Sequence, residues 1–338
     1  MYIKRNISFN VVWKFAWKNL LLFIIYGSAV TFLYHYLDHI GIKASIPFSP
    51  INTIGIAVAF YLGFKNNQSY DRFWEGRKIW GGIVNYSRTW GNQVLSYFTM
   101  KHSKPGVNQA EIAAYQKRII YRHLAYINAL RLQLRKPTSF SKDYSKKSAK
   151  AFKSETQDEQ WKHEVGIFIE EKEIGIYTNK KNIATQLARQ QGKELNECYE
   201  KGIIEDFRHM DLMHSLEEFY NLQGKAERIK KTPLPRQFSF FSNVFVLIFI
   251  VLLPFGMVGE FAKMGHNIVW LNIPFYVLIA WVFWTMETIG DSSEDPFEGF
   301  INDVPMTALC RTIEIDLREM LEEDDIPPGI VAVNDILM

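Results

Sequence analysis

Hydrophobic positions along this chain are gathered into four unbroken blocks instead of being spread evenly. Leu20–Leu37, Ala44–Phe64, Gln237–Gly259 and Met264–Met286 contain no Asp, Glu, Lys or Arg, and each is long enough as a helix to cross a hydrocarbon core of about 30 Å. The first block ends in Tyr34, His35 and Tyr36, rings that suit a headgroup zone. A turn broken by Pro47 and Pro50 follows, and Ser49, Pro50, Asn52 and Thr53 supply the start of a second helix. That helix is expected to outrun its block, because Tyr70, Phe73, Trp74, Ile79, Trp80 and Ile83 continue at helical spacing towards Leu95.

The long polar stretch between the second and third blocks also reads as helical. Asn108–Leu134 is amphipathic, with Ile112, Tyr115, Ile119, Ile120, Leu124, Ile127 and Leu130 close to one face. Thr138–Lys153 reads as a lysine-rich loop, and Asn182–Tyr199 and Ile204–Gln223 as two further helices. Thr232, Pro233, Leu234 and Pro235 then break the chain ahead of the third block. Beyond the fourth block, GDSSEDPFEGFINDVP reads as a solvated acidic linker leading to a polar helix, Met306–Glu322. With no strand-rich region, repeat or low-complexity tract, the expected fold is all-α, a membrane protein with four transmembrane helices and a helical cytosolic domain. Its expected segments are a cytosolic 1–19, membrane helices in 20–64, a cytosolic domain in 65–236, membrane helices in 237–289 and a cytosolic 290–338.

The net charge of +3 says little, but the placement of basic residues says more. Lys4, Arg5, Lys14 and Lys18 precede the first block, Lys65, Arg72, Arg77 and Lys78 follow the second, and Lys225, Arg228, Lys230, Lys231 and Arg236 precede the third. The two short connections carry only Lys43 and Lys263. This asymmetry puts both termini and the middle segment in the cytoplasm of a multi-pass protein of the cell's inner membrane. No small-residue cleavage pattern follows the first block, so it is expected to be retained. Membrane lipids are therefore partners, and no basic stripe points to a nucleic acid. Cys198 and Cys310 read as reduced thiols.

No nucleophile–base pair, phosphate cradle or paired catalytic carboxylates emerges, so the chain is not read as an enzyme and no cofactor is expected. His35 and His39 stand at i and i+4, a metal-ligand spacing. That spacing does not recur among the other histidines, and the two are read as interfacial rings with no metal.

The second block differs from the others because its residues sort by size. Ile56, Phe60 and Phe64 recur at every fourth position, and Gly55, Ala59 and Gly63 do so one residue earlier. A bulky ridge thus lies about 100° around the axis from a small-residue groove. Such grooves let membrane helices approach closely. Were several copies packed through the groove around an axis, the ridge would stack apolar rings about 6 Å apart into a constriction that gates by dewetting. Ordinary lipid-facing or core packing is the alternative.

The stretch IPFSPINTIGIAVAFYLGFKNNQSYDRFWEGRKIWG, the later ERIKKTPLP ahead of a span ending in LLPFG, and EDPF after the last span resemble the bacterial branch of the bestrophin family. The three stand in the right order within the right four-span pattern, and only the region from the lysine-rich loop to about Asn196 has no counterpart. The resemblance implies a homopentamer around one ion pore, with a membrane neck at Ile56, Phe60 and Phe64 and a cytosolic aperture at Ile229 or Lys230. Five isoleucines would make a neutral sieve, whereas five lysines would make a ring that draws anions. Permeant small monovalent ions are expected, anions such as chloride favoured over cations. The calcium clasp of the eukaryotic relatives follows a Pro-Phe pair, but here most of its carboxylate positions are apolar or neutral, so calcium gating is not expected. A membrane-anchored scaffold that conducts nothing is the remaining alternative.

Overall fold

The computed structural model describes residues 1–7, 9–42, 45–138, 157–178, 180–333 and 335–338. Lys43 and nearly all of the lysine-rich loop lie outside them. The described residues form helices joined by short connections, with isolated backbone bridges from Ile336 to Tyr2 and Val333 in place of strands. The chain divides into two compact units, one of Lys4–Arg72 with Pro233–Glu294 and one of Met1–Ile3, Phe73–Thr232 and Asp295–Met338.

The first unit contains α1 (Phe9–His39), the start of α2 (Phe48–Tyr97), α8 (Arg236–Met264), a 3-10 turn (His266–Leu271) and α9 (Asn272–Ser293). As the spacing past the second block predicts, α2 is one uninterrupted helix. Pro254 lies inside α8, which continues ten residues beyond it to Met264. Two side chains serve carbonyls around this proline. Tyr26 donates to the Val251 carbonyl (3.0 Å), and Asn272 donates to Thr31 Oγ1 (3.0 Å) and towards the Pro254 carbonyl (3.4 Å). Within a bilayer such groups have no water to turn to.

Phe23, Ile51, Val58, Leu62, Val246, Phe249, Leu253 and Tyr276 form the core of this unit. Most of the apolar surface faces outward, including Leu22, Ile25 and Phe32 on α1, Phe240 and Leu247 on α8, and Leu278 on α9. That surface would be a liability in water and is matched to lipid. Among the described residues three helical segments are long and apolar enough to span a membrane, Phe15–His39, Arg236–Met264 and His266–Ser293. The second block is not among them, and its early residues Ser49, Asn52 and Thr53 lower its hydropathy.

The second unit is built around α3 (Gln109–Arg135), with the end of α2, α4 (Gln157–Glu164), α5 (Glu171–Thr178), α6 (Ile183–Glu200), α7 (Asp206–Lys231) and α10 (Met306–Met320). Asn108 caps α3 by accepting from the Glu111 N–H (2.8 Å), and Asn182 caps α6 through the Thr185 N–H (3.1 Å). The expected apolar face of α3 is present, but the helix is buried on its polar side as well. Arg122 pairs with Glu194 and Glu173, and Arg131 with Glu164, so charges from α4, α5 and α6 close over the side that sequence alone leaves to solvent. His123 is fully buried, its Nε2 2.8 Å from Ser87 Oγ, and desolvation pushes its pKa down to about 3. Cys198 and Cys310 are free and buried, with burial raising both thiols. The short helices α4 and α5 fall where sequence reading finds only a charged stretch, anchored by Trp161 and Tyr177.

Candidate functional site

On the part of α2 that belongs to the first unit the buried positions are Ile51, Gly55, Val58, Leu62, Lys65 and Ser69. At about 100° per residue these spacings form one stripe, and Ile56, Phe60 and Phe64 fall about half a turn away from it. The three are 65%, 69% and 51% exposed, so the chain's own helices leave the ridge uncovered. Phe60 and Phe64 meet edge to face, 4.6 Å between ring centres at 89°. Along the same line exposed polar residues flank the ridge, Ser49 and Thr53 before it and Asn67 and Asp71 after it. The line therefore reads polar, apolar, polar.

The small-residue line behaves less uniformly than its periodicity predicts. A Cβ on Gly55 would lie 2.7 Å from the Phe249 ring, so this glycine serves close packing of α2 on α8 within one chain. Ala59 is exposed and a Cβ on Gly63 would meet nothing, so these two positions are open to a neighbour.

One group that the sequence reading did not single out lies on the buried stripe, one residue past the end of the ridge. Lys65 is 1% exposed and binds both Glu287 and Asp291, the latter at 2.7 Å, while Ser242 donates to the second oxygen of Glu287 (2.6 Å). A buried charge set of this kind persists only when every member is paired. Its signal was present in the sequence: Lys65 and Glu287 are the first charged residues after the second and fourth blocks. Arg72 donates its Nε–H to the Glu294 carbonyl (2.9 Å).

The acidic segment corrects an expectation. Far from being a solvated linker, its carboxylates are largely buried and engaged. Glu294 takes Ser239 (3.3 Å) and Arg236 (3.8 Å), and Glu298 takes Lys230 (2.6 Å). Asp303 accepts from the Gly299 and Phe300 N–H groups at 2.6 and 3.0 Å, closing a turn in which Gly299 adopts φ +93°. Burial raises the Asp303 carboxyl to about 7, against the opposing pull of Arg135 and these two N–H groups. The two aperture candidates sit in the last turn of α7. Ile229 is packed into the core of its unit and Lys230 is buried against Glu298, so a single chain presents neither at its surface.

Curated relatives cover most of the chain. The Voltage-dependent anion channel-forming protein YneE of Escherichia coli is 28% identical over 315 residues, 93% of this chain and 89% of that protein. A protein of the same description from Mesorhizobium japonicum is 28% identical over 275 residues, 81% of this chain and 75% of its own length. Among solved structures, a bacterial bestrophin homolog from Klebsiella pneumoniae superposes with a TM-score of 0.74 at 24% identity, covering 90% of this chain and 98% of that one, which shows a shared fold. A profile of the family described as Bacterial/Fungal Bestrophin protein matches residues 7–319. The chain, built on apolar membrane helices with an uncovered ridge on α2, belongs to the bacterial and fungal bestrophin family.

Proposed function

We propose that several copies of this chain, five on the family resemblance, surround an ion pathway whose neck is lined by Ile56, Phe60 and Phe64. The observation that carries this reading is the ridge itself. It stands opposite the buried stripe of its own helix, and polar residues flank it above and below on the same line. From Thr53 to Asn67 the line covers only about 21 Å, short of the roughly 30 Å of apolar surface that a lipid-facing line would present, and it suits a water-filled path with a dry constriction. Ala59 and Gly63 allow adjacent copies of α2 to approach, and the second block then counts as the fourth membrane span. The basic flanks put both termini in the cytoplasm of the inner membrane.

The conducted species are small monovalent anions such as chloride. The curated relatives are named as anion channel-forming proteins, and neither they nor the family are named as enzymes. A positive lysine ring is not the source of that preference, because Glu298 neutralises Lys230 within the same chain. The aperture is assigned to this turn of α7, at Ile229 or Lys230, on resemblance alone, since a single chain buries both side chains. Reconstitution of the purified protein into planar bilayers under asymmetric KCl tests the function. A reversal potential near that of chloride supports it. A reversal near that of potassium shows a cation channel, and silent bilayers with folded protein indicate a scaffold.

A further inference from the structure

The membrane unit holds a second polar cluster, at the end of α1 remote from Lys14 and Lys18. There the ring of His35 meets that of His266, the first residue of the 3-10 turn after α8, with centres 4.8 Å apart at 77°. Trp270 also stacks on His35 (4.9 Å, 28°), and Phe32 meets Trp270 edge-on at 5.0 Å. His35 Nε2 is buried and has no hydrogen-bond partner. An imidazole nitrogen left idle inside an aromatic box is a cost that a ligand would offset.

The geometry suits a metal ion. With metal–nitrogen bonds of about 2.0–2.1 Å, each ring centre lies roughly 3.2 Å from the ion, and a tetrahedral angle then places two ring centres roughly 5 Å apart. The observed separation is close to that. Among the described residues no group of three or more His, Cys, Asp or Glu gathers around an ion, so the other positions would be filled by water. Imidazole donors favour zinc, nickel and copper over magnesium and calcium. Besides its chain neighbour Tyr34, the ring contacts of His35 are with His266 and Trp270, from the connection after α8, and not with His39 one turn along α1. Sequence spacing alone points to the wrong pair.

We propose that His35 and His266 form a two-imidazole site for a late first-row divalent cation such as zinc, completed by water, which fastens the end of α1 to the connection between α8 and α9. The site is independent of whether the protein conducts. Calorimetric titration of the full-length, detergent-solubilised protein with zinc chloride tests it. One saturable zinc per chain is expected, weakened roughly tenfold or more by His35→Gln or by His266→Gln, unchanged by His39→Gln, and not reproduced by magnesium. Zinc should also raise the melting temperature of the unaltered protein and not that of His266→Gln. His266 is exposed, so its loss leaves the packing intact. Absence of saturable binding, binding indifferent to both substitutions, or an equal loss with His39→Gln would overturn the assignment.

Discussion

Phe64 and Lys65 are adjacent in sequence and opposite in surroundings: the phenyl ring is uncovered, while the lysine is enclosed by two carboxylates. One step of about 100° along α2 separates a position left for a neighbour from one that fixes the helix against its own bundle. The two substitutions should therefore act on different observables. Phe60→Ala with Phe64→Ala removes bulk that no core contact needs, so unitary conductance or open probability should rise in bilayers while the melting temperature stays near that of the parent. Lys65→Met leaves Glu287 buried without its cation and should destabilise by about 3–5 kcal/mol, seen as a lower melting temperature in detergent. Adding Glu287→Gln should recover part of that loss. If Lys65→Met melts like the parent, the buried charge set does not hold the helix.

At the scale of elements, the runs free of charge were legible because a bilayer imposes a length that no cytosolic helix needs. The ridge on α2 was legible for a related reason, since residues sorted by size at a fourfold spacing must occupy separate faces. What stayed hidden depended on partners distant in sequence. The polar side of α3 is covered by Glu164, Glu173 and Glu194, and the acidic segment is paired by Arg236 and Lys230, none of them predictable from local pattern. The turn after α9 carries its own test. Asp303 has its folded pKa raised to about 7, chiefly by desolvation, from an unfolded value near 3.9. The folded form holds the proton more tightly, so its contribution to stability is full below the unfolded value and is lost as pH climbs through about 7. The melting temperature should fall between pH 5 and pH 8, and Asp303→Asn should flatten that slope. An unchanged slope in the variant would assign the dependence elsewhere.

For the whole molecule, an exposed apolar ridge acquires meaning only by repetition, because one chain cannot enclose a path with a single helix face. The detergent-solubilised complex should have the mass of five chains, and a monomeric mass would leave the ridge facing lipid. The most direct measurement places a thiol on the ridge. Both native cysteines are buried, so a cysteine introduced by Phe60→Cys is the reactive one, and a control at the lipid-facing position uses Leu22→Cys. A charged, water-soluble thiol reagent should change the current through the Phe60→Cys protein and leave the Leu22→Cys protein untouched. Modification without effect at Phe60→Cys, or no modification in a conducting assembly, would contradict a neck built from Ile56, Phe60 and Phe64.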